Sequence, residues 1–381
     1  MPSRCRIGLL FSMTGPHSVI ERSMLNGALL AIGELNGKGG IVFEPTIIDP
    51  AGEMTRYSHG ATSLLAAGIR HVVGCNTSSS RKEVIPAFEK CDALLWYPAH
   101  YEGFETSPNV VYTGAAPNQH ILPLADYLMS RFGRRAFCVG SNYIWAWENN
   151  RILREVVNGG GGEILAERYA AIGETDLGYL VDAILEARPQ FVFSTFVGAS
   201  AYSFFRLLRA ACEKLGVDQA KDIPVACCTL CEPDLFEIGP VAMDGHISSS
   251  VYFSTIDTAR NAAFVQDYAD AFPDRPATSV DSEAAYVAVH LLAKAIADAG
   301  TDEVGAVKRA AASQRLDAPQ GMVWLDGATM HAYLTPRIGI SNRQGSFDIV
   351  ATAAAPVGPD PYLIKSSPRY ADARPALRVV K

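Results

Sequence analysis

Regular alternation of apolar strands with helical patterns predicts an α/β chain of two similar lobes, each built on a parallel sheet. Two alternating blocks occupy residues 5–229 of the 381-residue chain. Strands of such sheets are apolar along their whole length, because helices cover both faces. Apolar residues make up 49% of the chain and charged residues 19%, so each lobe can bury a core of its own.

The first block predicts five strands separated by three helices. Gly39-Gly40 and Gly68 follow two of the helical patterns, and glycine is the residue best suited to the left-handed conformation that ends many helices. The strands are Cys5–Ser12, Pro45–Asp49, His71–Gly74, Ala93–Tyr97 and Asn109–Thr113, and the helices are Glu21–Asn36, Arg56–Ala67 and Arg81–Cys91.

The second block repeats this plan with four helices and four strands. Gly159–Gly162 lies between a helix and a strand, so it predicts a turn, because a phosphate cradle needs a helix after it. The helices are His120–Phe132, Glu148–Gly159, Asp176–Ala187 and Ala201–Leu215, and the strands are Ala136–Gly140, Glu163–Tyr169, Gln190–Thr195 and Pro224–Thr229.

The last third of the chain changes order. Three helical patterns are expected to return to the first lobe, and a strand and a hairpin then lead into the second. The helices are Asn261–Phe272, Ser279–Ala299 and Glu303–Gln314, and the strands are Gly321–Leu325, Ala332–Ile340 and Phe347–Thr352. The proline-rich tail from Pro356 is expected to be irregular.

Composition restricts the compartment and the partners. The net charge of −7 disfavours direct contact with nucleic acid, which needs a basic face. The first apolar run, Ile7–Phe11, is too short for a signal peptide or a membrane span. Most of the eight cysteines lie inside apolar runs, as expected of small hydrophobic groups in a reducing compartment. We therefore expect a cytoplasmic protein, or a periplasmic one if the native start carries a leader before Met1.

Catalytic motifs are absent from the chain. It contains no pattern of a serine hydrolase, a zinc protease, a P-loop protein or a dinucleotide-binding protein. The lone His100 is expected to be structural. Cys227, Cys228 and Cys231 resemble half of a zinc site, but a second cluster of ligands is missing. The sequence thus predicts a binding protein with no enzymatic activity, no cofactor and no metal.

Three loops that follow predicted strands offer hydroxyls, amides and aromatic rings. They are Asn76–Ser80, Tyr97–Phe104 and Ser141–Trp147. Ligands of open parallel sheets bind beyond the carboxyl ends of the strands, so a cleft between the lobes would bring all three loops together. Ser80 and Glu83 form a capping-box pattern, which predicts free backbone amides beside the first loop. Such a cleft suits a small, neutral, polar molecule.

Seven short segments carry a family pattern: Ile7–Ser12 with Thr14-Gly15, Ile20–Ser23, Val73–Cys75, Tyr101–Glu105, Ala116–Gln119, Tyr252–Thr258 and Asp317–Gly321. Together they resemble the amide-sensing regulators of the aliphatic amidase operon (AmiC-like), which belong with the urea and branched-chain amino acid binding proteins. The resemblance implies the type I periplasmic-binding-protein fold, an α/β fold of two Rossmann-like parallel-sheet lobes joined by three crossover segments. Residues 1–119 and 253–328 would form the first lobe, and residues 120–252 and 329–381 the second, with the ligand cleft between them.

The resemblance also implies ligand contacts. Ser78, Tyr97 and Tyr143 match ligand-contacting positions of the family, whereas Asn76, Ala99 and Trp145 replace its usual Tyr, Thr and Tyr. Another small amide, a urea or a related neutral compound is therefore a better expectation than acetamide. No Arg or Lys lies in the three loops to pair with a carboxylate, although amides at the helix start are an alternative way to hold one. The candidate ligand-binding residues are Ser78, Tyr97, Tyr143, Asn76, Ala99, Trp145, Glu102, Phe196 and Thr229.

The leading functional prediction is a cytoplasmic sensor that holds an antitermination protein inactive and releases it when an amide binds. A ligand shifts such an equilibrium only through its different affinities for two states. The alternative is the substrate-binding protein of an ABC importer for amides, urea or branched-chain amino acids. An amidohydrolase would need a nucleophile–base pair or a metal cluster, and neither is visible. Association into homodimers or larger homo-oligomers is left open, and no direct contact with nucleic acid or a membrane is expected.

Overall fold

Two sheets with helices packed against them organise the computed structural model, which describes residues 3–275 and 277–366. The first sheet contains β1 (Ser3–Leu10), β2 (Ile41–Ile48), β3 (His71–Gly74), β4 (Leu94–Tyr97) and β5 (Val110–Tyr112). All five strands are parallel, in the order β2-β1-β3-β4-β5. The helices between them are α1 (Ser18–Lys38), α2 (Met54–Ala66) and α3 (Ser78–Lys90). The parallel sheet predicted for the first block is confirmed.

The second sheet has seven strands. They are β6 (Arg135–Ser141), β7 (Glu163–Ala170), β8 (Phe191–Thr195), β9 (Val225–Cys227), β10 (Ile247–Ser250), β14 (Arg337–Ser341) and β15 (Phe347–Thr352), in the order β15-β14-β10-β9-β8-β6-β7. The strands from β6 to β10 are parallel, and β14 and β15 add an antiparallel hairpin at one edge. The helices of this part are α4 (Pro117–Arg131), α5 (Ile144–Gly159), α6 (Gly178–Ala187), α7 (Ala199–Lys214), α8 (Gln219–Asp222) and α9 (Glu232–Ile238).

After the second sheet the chain returns to the first. The returning elements are α10 (Ala259–Ala271), α11 (Val280–Ala299), α12 (Val304–Ala311) and a small sheet of β11 (Arg315–Ala318), β12 (Gly321–Leu325) and β13 (Ala332–Tyr333). Helix α11 packs closely on α1, where a Cβ at Gly27 would lie 2.0 Å from the carbonyl oxygen of Ser282. The Ser23 and Ser279 hydroxyls are 2.9 Å apart at the same contact. Where the two lobes divide stays a prediction.

Two predicted features of the last third differ from the structure. The strand predicted at Ala332–Ile340 is two strands, because Pro336 lies between them and has no N–H for a ladder. One pairs with β12 and the other with β10. Strand β10 itself was not predicted, because its sequence, ISSS, has a single apolar residue. Its serines are buried with partners: the Ser248 hydroxyl donates to the carbonyl of Leu230 at 2.7 Å.

The described part of the chain contains no helix with the length and apolar character that a bilayer crossing requires. Seven cysteines are buried and Cys91 is exposed, and all eight are free. The predicted irregular tail has no helix or strand between residues 356 and 366 beyond a single bridge at Val357. Residues 367–381, which also belong to the predicted second lobe, lie outside the described residues.

Candidate functional site

A cavity of about 70 Å³ lies at the carboxyl ends of strands from both sheets. Its walls come from the segments that follow β3 and β4 in the first sheet and β6, β8 and β9 in the second. A space of this size holds several water molecules, so it fits a small organic solute. Six predicted ligand-binding residues line it: Asn76, Ser78, Tyr143, Trp145, Phe196 and Thr229.

The other three predicted residues lie behind the cavity wall, and this corrects their expected position. The Tyr97 hydroxyl donates to the carbonyl of Asn76 at 2.6 Å, so it supports the loop without facing the cavity. Glu102 is 2% exposed and accepts the hydroxyl hydrogen of Ser78. Ala99 is buried, and its backbone lies against Gly114. A Cβ added at Gly114 would lie 2.1 Å from the carbonyl group of Ala99. Tyr97 and Glu102 thus support the cavity wall from behind through these hydrogen bonds.

The first turn of α3 differs from the predicted capping box at Ser80 and Glu83. The helix begins at Ser78, and its cap is Thr77, whose hydroxyl oxygen accepts from the Ser80 amide at 3.1 Å. Ser80 is therefore inside the first turn. The cavity reaches Asn76, Thr77 and Ser78, so it meets a helix N-terminus, where backbone amides lack partners within the helix and the dipole is positive.

A buried charge network holds this helix start from behind. The Arg81 guanidinium is 0% exposed and pairs with Glu102 at 3.1 Å and with Glu105 at 2.7 Å. Its carbon lies 4.8 Å from the centre of the Tyr97 ring and 4.7 Å from that of Tyr101. Arg81 is thus neutralised inside the first lobe, and its charge is not directed at the cavity.

Aromatic rings form one side of the cavity. Tyr143 and Trp145 stack with their centres 6.3 Å apart and an interplanar angle of 24°. The edge of His100 packs on Trp145 at 5.6 Å and on His120 at 5.7 Å. His100, predicted to be structural, therefore lines the cavity as well as packing. Burial lowers the pKa of His100 to about 4, so its ring is neutral at neutral pH.

No Arg or Lys lies among the described residues that line the cavity. Burial also lowers the pKa of its second histidine, His17, to about 4. The cavity does contain two carboxylates that sequence analysis did not identify, Asp234 and Asp281. Burial raises the pKa of Asp234 to about 6. Burial, together with Asp234 and Glu232, raises the pKa of Asp281 to about 8. Both aspartates lie in the first turn of a helix. The positive end of the helix dipole stabilises acidic side chains there, so their presence alone does not indicate a ligand.

The cysteine cluster at Cys227, Cys228 and Cys231 is buried, and Cys227 reaches the cavity. Burial raises the pKa of Cys227 to about 12, so its thiol stays protonated. In the stretches that the structure describes, no group of His, Cys, Asp or Glu side chains is arranged to hold a metal ion. The interpretation of these residues as buried strand-end thiols agrees with their surroundings.

Two α/β sheets whose strand ends enclose a cavity define a protein of the two-lobed, ligand-binding class. The chain belongs to the periplasmic binding protein domain family, which matches residues 5–368. Among curated proteins it is similar to the Leu/Ile/Val-binding protein BraC3 of Rhizobium johnstonii, with 26% identity over 199 residues. That match covers 49% of this chain and 53% of the relative, so the chain spans about half the length of that relative.

Solved structures of solute-binding proteins share the whole fold. A solute binding protein of an ABC transporter from Rhodopseudomonas palustris HaA2, in complex with p-hydroxybenzoic acid, has a TM-score of 0.85 at 18% identity, over 95% of this chain and 100% of that one. The branched-chain amino acid binding protein LivJ from Streptococcus pneumoniae, in complex with isoleucine, has a TM-score of 0.76 at 19% identity, over 94% and 100%. These likenesses confirm the predicted type I periplasmic-binding-protein fold.

Proposed function

We propose that this chain is the solute-binding protein of an ABC importer, and that it closes two lobes over a small solute without negative charge. The observation that carries this proposal is the cavity between the strand ends of the two sheets, whose described lining residues include two aspartates and no Arg or Lys. The family and the names of similar proteins support the transport role. The lobe boundaries expected at 119/120, 252/253 and 328/329 are the proposed crossings about which closure occurs.

The regulatory interpretation rests on the sequence resemblance alone. An amide sensor that controls an antitermination protein would share this fold and this cleft, but every similar protein described above is a solute-binding protein. We therefore prefer the importer over the amidase-operon regulator. The importer role places the working protein outside the cytoplasmic membrane, so we propose a periplasmic location in place of the cytoplasmic one expected from the sequence.

The chemistry of the cavity favours a small amide, a urea or a related compound. The backbone amides at the start of α3, beside Asn76 and Ser78, offer hydrogen bonds to a carbonyl oxygen. The rings of Tyr143 and Trp145 provide a flat surface for a planar group. A carboxylate could meet the same amides, but the described lining of the cavity contains no Arg or Lys to pair with it and does contain Asp234 and Asp281. A benzoate or a zwitterionic amino acid is therefore a weaker candidate here than for the proteins named above.

A thermal-shift screen of the purified protein tests the solute class. Acetamide, propionamide and urea would be compared with 4-hydroxybenzoate and isoleucine, because a compound that binds the folded state alone raises the melting temperature. We expect members of the uncharged group to raise it and the carboxylates to leave it unchanged. Stabilisation by carboxylates alone would overturn the proposal.

Uptake by cells separates transport from regulation. We expect deletion of the gene to abolish high-affinity uptake of the radiolabelled solute and to leave amidase expression unchanged. Normal uptake combined with altered amidase expression would favour the regulator instead.

A further inference from the structure

Asp281 is a buried carboxyl group on the cavity wall, and among the described residues only its own backbone amide donates to it. It lies in the first turn of α11 and is 3% exposed. Across residues 3–275 and 277–366, no side chain donates a hydrogen bond to it or forms an ion pair with it. A buried polar group with no partner is costly. A ligand that enters the cavity can supply the missing partner.

The surroundings of Asp281 are acidic. Asp234 lines the same cavity, and its oxygens already accept from the Tyr202 hydroxyl at 2.7 Å and the Cys231 amide at 3.2 Å. Glu232 is 2% exposed and has one carboxylate oxygen without a hydrogen-bond partner. Two carboxyl groups thus line this end of the cavity and a third, Glu232, acts on Asp281 from nearby, while no Arg or Lys is among the described lining residues. The local field favours a cation.

We infer that Asp281 receives a positively charged nitrogen of the solute, so that the solute is a small amidinium or protonated amine. This inference rests on the proposed function and narrows its solute class. The planar amidinium places two N–H donors side by side, which matches the two oxygens of a carboxylate. The rings of Tyr143 and Trp145 and the neutral His100 line the same space without repelling a cation, and aromatic faces attract cations.

A pair of solutes of equal shape isolates the charge. Acetamide and acetamidine differ in one oxygen replaced by nitrogen and one positive charge, and both are small enough for the cavity. Calorimetric titration near neutral pH would compare their dissociation constants for the wild type. We expect acetamidine to bind about tenfold more tightly or better, since a charge-assisted hydrogen bond is stronger than a neutral one.

The variant Asp281→Asn assigns that preference to one residue. We expect it to remove the preference for acetamidine and to change the affinity for acetamide by less than about threefold. The control is Asp182→Asn, at an exposed position on α6 that does not line the cavity. It changes the net charge by the same amount and should keep the preference for acetamidine. If Asp281→Asn does not fold, the wild-type comparison still decides the charge of the solute.

Failure of the inference about Asp281 can be distinguished from failure of the proposed solute-binding function. Binding of acetamide that equals or exceeds that of acetamidine overturns the inference and leaves the proposed function standing. A preference for acetamidine that survives in Asp281→Asn overturns the role of Asp281. Failure of acetamide, acetamidine, propionamide and urea to bind overturns the proposed function itself.

Discussion

Ser78 donates a hydrogen bond from its hydroxyl to the carboxylate of Glu102, which ties the cavity wall to the buried network behind it. Glu102 also pairs with Arg81 at 3.1 Å. The side chain at the start of α3 is therefore held in place before any solute arrives, and a site whose groups are already oriented loses less free energy on binding.

Glu102→Ala should destabilise the protein strongly. It removes one of the two carboxylates that pair with the fully buried Arg81, and breaking a buried pair costs about 3–5 kcal/mol. Urea titration of the free energy of unfolding would measure the loss. Arg4→Ala, which breaks an exposed pair with Glu44, should cost less than about 1 kcal/mol. Equal losses in the two variants would show that the network is not a structural support.

Tyr143→Phe should weaken solute binding and leave stability nearly unchanged. The Tyr143 hydroxyl belongs to a cavity-lining residue and has no hydrogen-bond partner among the described residues, so a solute is its expected partner. Loss of one such bond costs about 0.5–1.5 kcal/mol, which is roughly a two- to tenfold loss of affinity. Calorimetric titration with the tightest amide or amidine measures it, and Tyr179→Phe, on an exposed tyrosine, is the control. Unchanged affinity would place Tyr143 outside the site.

Trp145→Tyr and Ala99→Thr should have different effects. Trp145 lines the cavity and packs on His100, so a smaller ring should change the ranking of short and long amides in a thermal-shift screen. Ala99 lies outside the cavity and is 1% exposed, so Thr there overpacks the interior and should cost about 1–3 kcal/mol. Its ranking of amides should stay that of the wild type. A changed ranking in Ala99→Thr alone would return that residue to the cavity wall.

The stability of the empty protein should depend on Asp281 in a pH-dependent way. Its pKa is raised from about 4 in the unfolded chain to about 8 in the fold, by burial and by Asp234 and Glu232, while Cys231 also faces it. A raised pKa means that the folded state binds the proton more tightly. The stabilisation is present below pH 4 and is lost as the pH rises towards 8.

Asp281→Asn should therefore melt higher than the wild type, and the difference should grow as the pH rises from about 4 to about 8. Differential scanning calorimetry across this range measures both proteins, and Asp182→Asn should follow the wild type. A difference that stays constant with pH would contradict the assignment of the raised pKa to this carboxyl group.

Much of the fold follows from local pattern. The buried parallel strand His71–Gly74 and the antiparallel strand Gly321–Leu325 were predicted with their observed bounds, because apolar runs between turn residues identify them. Strand β10 has no such run, and its serines find partners far away in the chain: Ser249 donates to the carbonyl of His120 at 2.7 Å. A contact between residues so distant in sequence leaves no local pattern.

The cavity residues could also be predicted only in part. Strand-end position identifies the loops that carry Ser78 and Tyr143, because carboxyl ends of parallel strands meet at one edge of a sheet. It does not show which side chains of a loop point inward, and so Tyr97 and Glu102 were placed one layer too close to the solute. Asp281 was missed because an acid in the first turn of a helix has a sufficient local explanation.

A crystal structure of the protein with acetamidine tests the central claim most directly. We expect electron density for the solute between Ser78 and Tyr143, with one of its nitrogen atoms within hydrogen-bonding distance of the Asp281 carboxyl group. Density at another place on the protein, or a solute that turns its nitrogen atoms away from Asp281, would contradict it.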